Sequence, residues 1–157
     1  MPNVFQTAYQ TCPLDLHTDA FYPSRLSLIN QRLAAISNGE APTIFKEAYK
    51  REAPTQTCVV GVRWDYEYED LMEIVECFPG SALATVCQVM AQEYQDRGGG
   101  VPDLFLWHPE TKEIMFSEVK SENDRLSDTQ RLWMHVLTGA GVKVELCHAV
   151  SKEVRKG

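Results

Sequence analysis

Residues 98–120, GGGVPDLFLWHPETKEIMFSEVK, limit the possible folds more than any other part of the chain. Three glycines precede two largely apolar runs, 103–107 and 113–120, and a turn through Pro109 separates the runs. Side chains that alternate between two faces are typical of strands. The stretch therefore predicts two strands that pair as an antiparallel hairpin.

The hairpin carries an acidic residue where its first strand begins and two charged residues near the end of its second strand. Pairing brings Asp103, Glu118 and Lys120 together at one end. Mg²⁺ prefers carboxylate and carbonyl oxygens, and such a cation can activate water for phosphodiester hydrolysis. We therefore assign Asp103, Glu118 and the main-chain carbonyl of Val119 as metal ligands. Lys120 is assigned to orient the attacking water or to offset charge in the transition state. The same spacing also occurs in surface hairpins without a catalytic role, so the pattern alone leaves both interpretations open.

The segment after the hairpin predicts a crossover from one strand to the next. Ser127 and Gln130 have the spacing of a capping box, which opens a helix that buries Leu132, Trp133, Val136 and Leu137. Residues 142–150 follow as a final strand, whose inward side chains are predicted to be Val142, Val144, Leu146 and Val150. A strand, a helix and a strand in this order predict parallel pairing. The fold class is α/β, a small mixed sheet with helices packed against it, and both Trp107 and Trp133 are expected in the core.

The part of the chain before the hairpin is predicted to be mostly helical. A short helical pattern opens the chain and stops near Pro13. Further helices are marked by a cap at Thr18 or Asp19, by Pro42 in a first turn, by a cap at Asp65 with a solvated acidic face, and by the apolar positions Leu83, Val86, Cys87, Met90 and Tyr94. Residues 58–62 fit a short strand and a buried loop equally well.

Length and composition fit one globular domain. The chain has 157 residues, of which 44% are hydrophobic, and we divide it into a mostly helical part (1–97), an αβ core (98–150) and a basic tail (151–157). The net charge of −7 argues against a free-standing, strongly basic nucleic-acid binder, but not against a nuclease with acidic metal ligands.

The cysteines and the hydropathy pattern indicate the compartment. Five cysteines, an odd number without C-x-x-C spacing, suggest neither a disulfide framework nor a zinc site, so a reducing compartment fits best. The sequence contains no signal peptide and no apolar run long enough to span a bilayer. We expect an intracellular protein that does not enter a membrane, in the nucleus if eukaryotic and in the cytoplasm if bacterial.

Several stretches of the sequence resemble a known nuclease family. RGGGVPDLFLW, EVK, NDRLSDTQRLW and VKVELCHAV resemble the VRR-type branch of the PD-(D/E)XK nuclease superfamily. The earlier stretches VFQTAYQTCPLDLHTDAFYPSRL and GVRWD resemble the carboxy-terminal nuclease domain of the Fanconi-associated nuclease family in particular. The resemblance covers nearly the whole chain and implies a restriction-endonuclease-like sheet preceded by a helical insert.

The resemblance also implies a site and an activity. Asp103, Glu118 and Lys120 take the family's metal-binding and catalytic places, Gln130 is expected to face them, and Mg²⁺ or Mn²⁺ is the expected cofactor. The implied activity is cleavage of branched DNA, as a 5′-flap endonuclease and a 5′-to-3′ exonuclease in DNA repair, including interstrand-crosslink repair. Arg125, and more weakly Arg97 and Arg131, are candidate contacts to DNA phosphates.

The family carries a further metal-binding Glu on a helix upstream of the region that matches residues 4–16. The resemblance therefore implies that this chain is the carboxy-terminal piece of a longer nuclease, whose remainder supplies that Glu. Asp15 is a poor substitute for it. The helical insert implies a monomeric nuclease domain.

Two other functions compete with the nuclease. One is a non-catalytic DNA-binding or scaffold fragment, which would cleave nothing with any divalent ion. The other is a dimeric enzyme like the Holliday-junction resolvases, which the size of the domain in solution would reveal.

Overall fold

The fold was determined as a computed structural model, which describes residues 4–7 and 9–150. Helices fill most of the first two thirds of the chain, and strands follow. In chain order the elements are α1 (Leu26–Ala35), α2 (Ala41–Glu52), α3 (Tyr68–Cys77), α4 (Gly80–Gln92), α5 (Tyr94–Arg97), β1 (Leu104–His108), β2 (Glu113–Ser121), α6 (Asp128–Gly139) and β3 (Lys143–Ala149).

The three strands form one mixed sheet in the order β1-β2-β3. β1 pairs antiparallel with β2, with Phe105 opposite Phe116, and β2 pairs parallel with β3, with Phe116 opposite Val144. These pairings confirm the predicted hairpin and the predicted crossover through α6. β2 is therefore the central strand, and it carries Glu118, Val119 and Lys120 near its carboxyl end.

The main core lies between one face of the sheet and α4 and α6. Its buried residues are Ala82, Phe116, Trp133, Leu137 and Val142. Trp133 is completely buried, and its indole Nε1–H donates to the main-chain carbonyl of Arg97 at 3.0 Å. This bond satisfies the polar atom of the largest core side chain and joins α6 to the end of α5. The prediction that Trp133 belongs to the core is confirmed.

A smaller core joins α2 and α4 to the segment that connects α1 with α2. Ile36, Ala41 and Ala84 are its buried members. Gly39 adopts a φ of 89° in this connection, a left-handed conformation that glycine tolerates at the end of a helix. Gly80 is required where α4 begins, because a Cβ there would lie 2.6 Å from the main-chain oxygen of Ile36.

The predicted opening helix is wrong within residues 4–7 and 9–16, where the chain forms turns and bends instead. Gln10 accounts for part of this difference. Its side-chain oxygen accepts hydrogen bonds from the main-chain amides of Gln6 at 2.6 Å and Thr7 at 3.1 Å. These bonds occupy amides at the start of the predicted helix and favour a turn. Residues 1–3 and Ala8, which fall within the stretch of the predicted helix, lie outside the described residues.

The helix predicted to be capped by Asp65 begins later, at Tyr68. The carboxylate of Asp65 is engaged by the guanidinium of Arg63, so it does not cap the helix. Residues 58–62 form a loop rather than a strand, and the loop is largely exposed rather than buried. The main-chain amide of Val60 donates to the carbonyl of Thr11 at 2.8 Å, which ties the loop to the first segment.

Two parts of the predicted core are exposed. Trp107 lies near the turn of the hairpin, beyond the main core, and its Nε1–H donates to Glu73 Oε2 at 3.3 Å. Leu146 and Val150 are 39% and 69% exposed. Only the beginning of the last strand is covered, since Val142 is buried and Val144 packs against the same core. The predicted strand is present, but the helices do not extend over the end of β3.

The acidic face predicted for α3 is only partly solvated. Glu73 bonds to Trp107, and Glu76 Oε2 accepts from Lys112 Nζ at 3.0 Å, so both carboxylates hold the hairpin against α3.

Across the described ranges no single helix is long and apolar enough to cross a membrane. Helices α3 and α4 together are long and apolar enough for a membrane span by length and composition only, and the chain bends by 105° between them.

Candidate active site

Glu118 is the most deeply buried charged residue of the described chain. It is fully buried on β2, on the sheet face that α6 covers. Its Oε1 accepts hydrogen bonds from Lys120 Nζ at 2.8 Å and from Gln130 Nε2. Its Oε2 is buried and has no hydrogen-bond partner among the described residues. A buried carboxylate oxygen without a partner is costly, and this oxygen is free to bind a cation or a polar group of a ligand.

Lys120 supplies the positive charge that stabilises Glu118. Its side chain is only 13% exposed. The hydrogen bond to Glu118 raises the pKa of Lys120 above its ordinary value of 10.5, and the negative charges of Glu118, Asp103 and Asp124 act in the same direction, while burial opposes them. The ammonium group therefore stays charged at neutral pH and lies within the field of three carboxylates.

Asp103 immediately precedes β1 and contacts the end of β2 through a main-chain bond. Its Oδ2 accepts from the amide of Val119 at 2.9 Å. The last pair of β1 and β2 is Leu104 with Ser117, so Val119 lies beyond the end of β1. The amide and the carbonyl of a strand residue project to the same side, so the Val119 carbonyl also faces Asp103 rather than β3. The Asp103 carboxylate and the Val119 carbonyl therefore lie on the same side of β2, and Glu118 directly precedes Val119 in that strand. The role of these three groups as metal ligands stays a prediction.

Gln130 lies in the first turn of α6 and makes bonds in two directions. Its side-chain oxygen accepts from the amide of Ser127 at 2.9 Å, and its own amide donates to Ser127 Oγ at 3.2 Å, which confirms the capping box. The amide nitrogen of the same side chain donates to Glu118. The structure therefore places Gln130 at the carboxylate, as the sequence predicted.

The glycine stretch before Asp103 allows the chain to pass close to α6. Gly100 has a φ of +82°, and a Cβ there would lie 2.7 Å from Cγ2 of Thr129. At Gly99, in contrast, a Cβ would have no atom within 4 Å, and the φ is ordinary. The glycine stretch therefore makes a close backbone approach to the protein's own helix, and it is Gly100 that requires it.

The three candidate arginines do not bond to the carboxylates of the site. Arg97 Nε donates to Glu93 Oε2 at 2.7 Å, and Arg131 donates to the main-chain carbonyl of Leu126 at 3.3 Å. Arg125 is exposed in the turn between β2 and α6. Their contact with DNA stays a prediction.

The sequence profile of the VRR-NUC domain matches residues 37–151, which is well over half of the chain. The chain belongs to the VRR-NUC domain family. This VRR-NUC chain is 49% identical to a Fanconi-associated nuclease 1 homolog of Schizosaccharomyces pombe over 94% of its own length and 21% of that protein. It is 34% identical to Fanconi-associated nuclease 1 of Homo sapiens over 96% of its length and 15% of that protein. The chain thus spans about a fifth of the first of these relatives and less of the second.

Solved structures share the fold of the VRR-NUC chain. A crystal structure of paFAN1 bound to 5′-flap DNA with a 2-nucleotide flap and a gap superposes with a TM-score of 0.84, at 24% identity, over 99% of this chain and 28% of that one. A second structure of paFAN1, with a 1-nucleotide flap, gives a TM-score of 0.82 at 22% identity, over 98% of this chain and 28% of that one. The predicted fold class, a small mixed sheet with flanking helices, is confirmed.

The donors of the VRR-NUC site fit a hard divalent cation in their chemistry. Asp103, Glu118 and the Val119 carbonyl offer only oxygen, and one oxygen of Glu118 is buried without a partner in the described chain. Within residues 4–7 and 9–150, no group of three or more His, Cys, Asp or Glu side chains is placed to hold a metal ion. Asp15 does not serve as a further metal ligand, because both of its carboxylate oxygens accept hydrogen bonds from Arg25, at 2.7 and 3.0 Å.

Asp124 was not among the predicted site residues, although it lies in the turn just after Lys120. Its Oδ2 accepts from the hydroxyl of Ser121 at 2.9 Å and from the Ser121 amide at 3.4 Å. These bonds lower the pKa of Asp124 and close the turn at the end of β2. Serine and aspartate in a short polar loop are typical turn residues, and this signal was available in the sequence.

Proposed function

We propose that this chain is the catalytic domain of a metal-dependent, structure-selective DNA nuclease of the PD-(D/E)XK type. The observation that carries the proposal is the contact of Glu118 with both Lys120 and Gln130, with one carboxylate oxygen left unpartnered in the described interior. The family membership supports the same activity, since the relatives are named as Fanconi-associated nucleases.

A role can be assigned to each group of the site. When bound, Mg²⁺ or Mn²⁺ would be held by Asp103, Glu118 and the Val119 carbonyl, and would lower the pKa of water and offset phosphate charge. Lys120 keeps its proton and offers a positive hydrogen-bond donor to the attacking water or to a phosphate oxygen. Gln130 fixes the Glu118 carboxylate in orientation through a bond that needs no change of protonation.

The proposed substrate is branched DNA with a 5′ flap, which the domain cuts as an endonuclease and trims in the 5′-to-3′ direction. The support is paFAN1, which shares the fold and was crystallised bound to 5′-flap DNA. We propose a place in DNA repair, including interstrand-crosslink repair, and an intracellular location, in the nucleus of a eukaryote or the cytoplasm of a bacterium. These follow from the family resemblance.

We further propose that residues 1–157 form one VRR-type unit of a longer, monomeric nuclease, whose remainder supplies a further Glu to the metal. Two side-chain carboxylates with one main-chain carbonyl leave room for another ligand. The size of the relatives, of which this chain spans about a fifth or less, supports the same arrangement.

The test is cleavage of a 5′-flap duplex by the full-length protein in Mg²⁺, in Mn²⁺ and in EDTA. We expect cleavage with either ion and none in EDTA. Asp103→Ala and Lys120→Ala should each abolish cleavage, while Glu69→Gln, which removes an exposed acid from α3, should not. Full cleavage by either site variant, or cleavage in EDTA, would contradict the assignment.

A second candidate is a non-catalytic DNA-binding or scaffold domain. The absence of a three-residue metal cluster in the described part of the chain favours it. It predicts binding of flap DNA without cleavage by the full-length protein in any divalent ion. A dimeric resolvase predicts twice the monomer mass for the domain in solution, together with cleavage of four-way junctions.

A further inference from the structure

We propose that His148 is a further substrate-contacting residue of this site, which donates a hydrogen bond from its imidazole to a DNA phosphate oxygen beside Lys120. The inference rests on the proposed DNA nuclease function and deepens it. Neither the charged motif of the hairpin nor the alternation of the last strand assigns His148 a role in the site.

The register of the sheet places His148 directly beside Lys120. The two residues are Cα partners in the parallel pair of β2 and β3, just as Glu118 is the partner of Leu146. Partners in neighbouring strands project to the same face, and neighbouring strands lie about 4.8 Å apart. The imidazole and the ammonium side chain therefore stand next to each other on the face that carries Glu118.

This part of the sheet face is open. Val142 is buried at the start of the last strand segment, but Leu146 and His148, on the same face, are exposed. An exposed leucine thus lies opposite a fully buried glutamate. The helices that cover the core do not extend over Leu146 and His148. A substrate therefore reaches Glu118 and Lys120 over the exposed end of β3.

The chemistry of the imidazole suits a phosphate at this place. It offers an N–H donor in both its neutral and its charged form, so a contact with a phosphate oxygen does not depend on its charge. Donors of this kind fix the register of a protein on the DNA backbone. The site itself is acidic, since Asp103, Glu118 and Asp124 surround one lysine. A further donor beside Lys120 therefore helps to hold a polyanion in a chain whose net charge is −7.

The experiment compares three variants of the full-length protein with the wild type. His148→Ala removes the donor, and His148→Gln keeps an N–H donor of similar reach. His135→Ala is the matched control, because His135 is also exposed but lies on α6, one turn and more beyond Gln130. We measure kcat/KM on a 5′-flap duplex in Mn²⁺ and the Kd for the same duplex in EDTA, with thermal unfolding to confirm the fold.

We expect His148→Ala to lower kcat/KM about tenfold or more and to weaken DNA binding, as for the loss of one hydrogen bond to a charged group. His148→Gln should recover part of both losses, and His135→Ala should match the wild type. Unchanged kcat/KM and Kd in His148→Ala would overturn the proposal. So would a loss confined to kcat that glutamine does not rescue, because it would indicate an indirect effect through Lys120.

The outcome for the wild type separates the two proposals. If the wild type cleaves no substrate with any divalent ion, the proposed nuclease function fails. The Kd comparison still decides on His148, since weaker binding by His148→Ala supports the contact and equal binding overturns it.

Discussion

Gln130 donates a hydrogen bond to the fully buried carboxylate of Glu118, and the same side chain caps the helix on which it lies. One amide group therefore fixes the start of α6 with its oxygen and orients the central acid of the site with its nitrogen. The stability of the helix and the geometry of the site depend on the same residue.

Gln130→Ala should lower the free energy of unfolding more than Ser127→Ala does. Loss of the cap alone costs about 1 kcal/mol, which is the effect expected for Ser127→Ala. Gln130→Ala also removes a donor from a buried carboxylate, which adds about 1–3 kcal/mol. Urea unfolding of the two variants measures the difference. Equal losses would show that the bond to Glu118 contributes nothing to stability.

Lys120→Met should lower the Tm, because it leaves the buried charge of Glu118 without its cation. Adding Glu118→Gln should restore part of the loss, since a neutral amide is less costly to bury without a charged partner. Differential scanning calorimetry of both single variants and the double variant tests this coupling. Additive effects in the double variant would argue against a direct interaction.

Gly100→Ala should destabilise the protein by about 1–3 kcal/mol, since the residue has a positive φ and its Cβ would meet Thr129. Gly99→Ala is the control one position earlier, where a Cβ has free space. Because Gly100 leads into Asp103, we also expect Gly100→Ala to reduce cleavage. Chemical unfolding and a flap-cleavage assay check both effects. Equal stability and equal cleavage in the two variants would contradict the close contact between Gly100 and α6.

The ion pair of Asp15 with Arg25 should make stability depend on pH at the acidic end. The hydrogen bond from Arg25 lowers the pKa of Asp15 below its ordinary value of 3.8. The carboxylate therefore contributes stability above pH 3.8, and the contribution is lost as the pH falls through the lowered pKa. Asp15→Asn should be less stable than the wild type at neutral pH, and the difference should shrink below pH 3.8. Thermal unfolding across this range measures it, and a difference independent of pH would contradict the assignment.

Mn²⁺ should raise the Tm of the full-length protein, because a ligand that binds only the folded state stabilises it. Asp103→Ala should reduce the shift, and EDTA should reverse it. Glu69→Gln serves as the control for general electrostatic effects of removing an acid. A shift of equal size in Asp103→Ala would show that the ion binds elsewhere.

Several elements that local rules determine were predicted correctly from the sequence. Alternation indicated the hairpin, the spacing of Ser127 and Gln130 indicated the capping box, and the strand-helix-strand order indicated the parallel pair. Some errors arise where the outcome depends on the packing of distant parts of the chain. Leu146 alternates like a core residue, but only the extent of the helices shows that its face is uncovered. The error at residues 4–16 is local instead, because the side chain of Gln10 bonds to amides only three and four residues earlier, which a helical pattern assigns to other partners.

The arrangement of the candidate site could be predicted from the sequence only for side chains that belong to one hairpin. Asp103, Glu118 and Lys120 came from one hairpin, whereas His148 became visible only through the register between β2 and β3. Sequence periodicity places a residue on a face of its own strand, but it does not tell which residue of another strand stands beside it.

The end of β2 beyond Ser117 pairs only with β3, since β1 stops at Leu104. Local contacts of the hairpin form early in folding, whereas contacts between segments distant in sequence form slowly. The strand that carries Glu118 and Lys120 is thus completed only when β3 docks. During synthesis, a ribosome-bound chain from which residues 143–149 have not yet emerged lacks this support, so the candidate site is completed late in the synthesis of this domain.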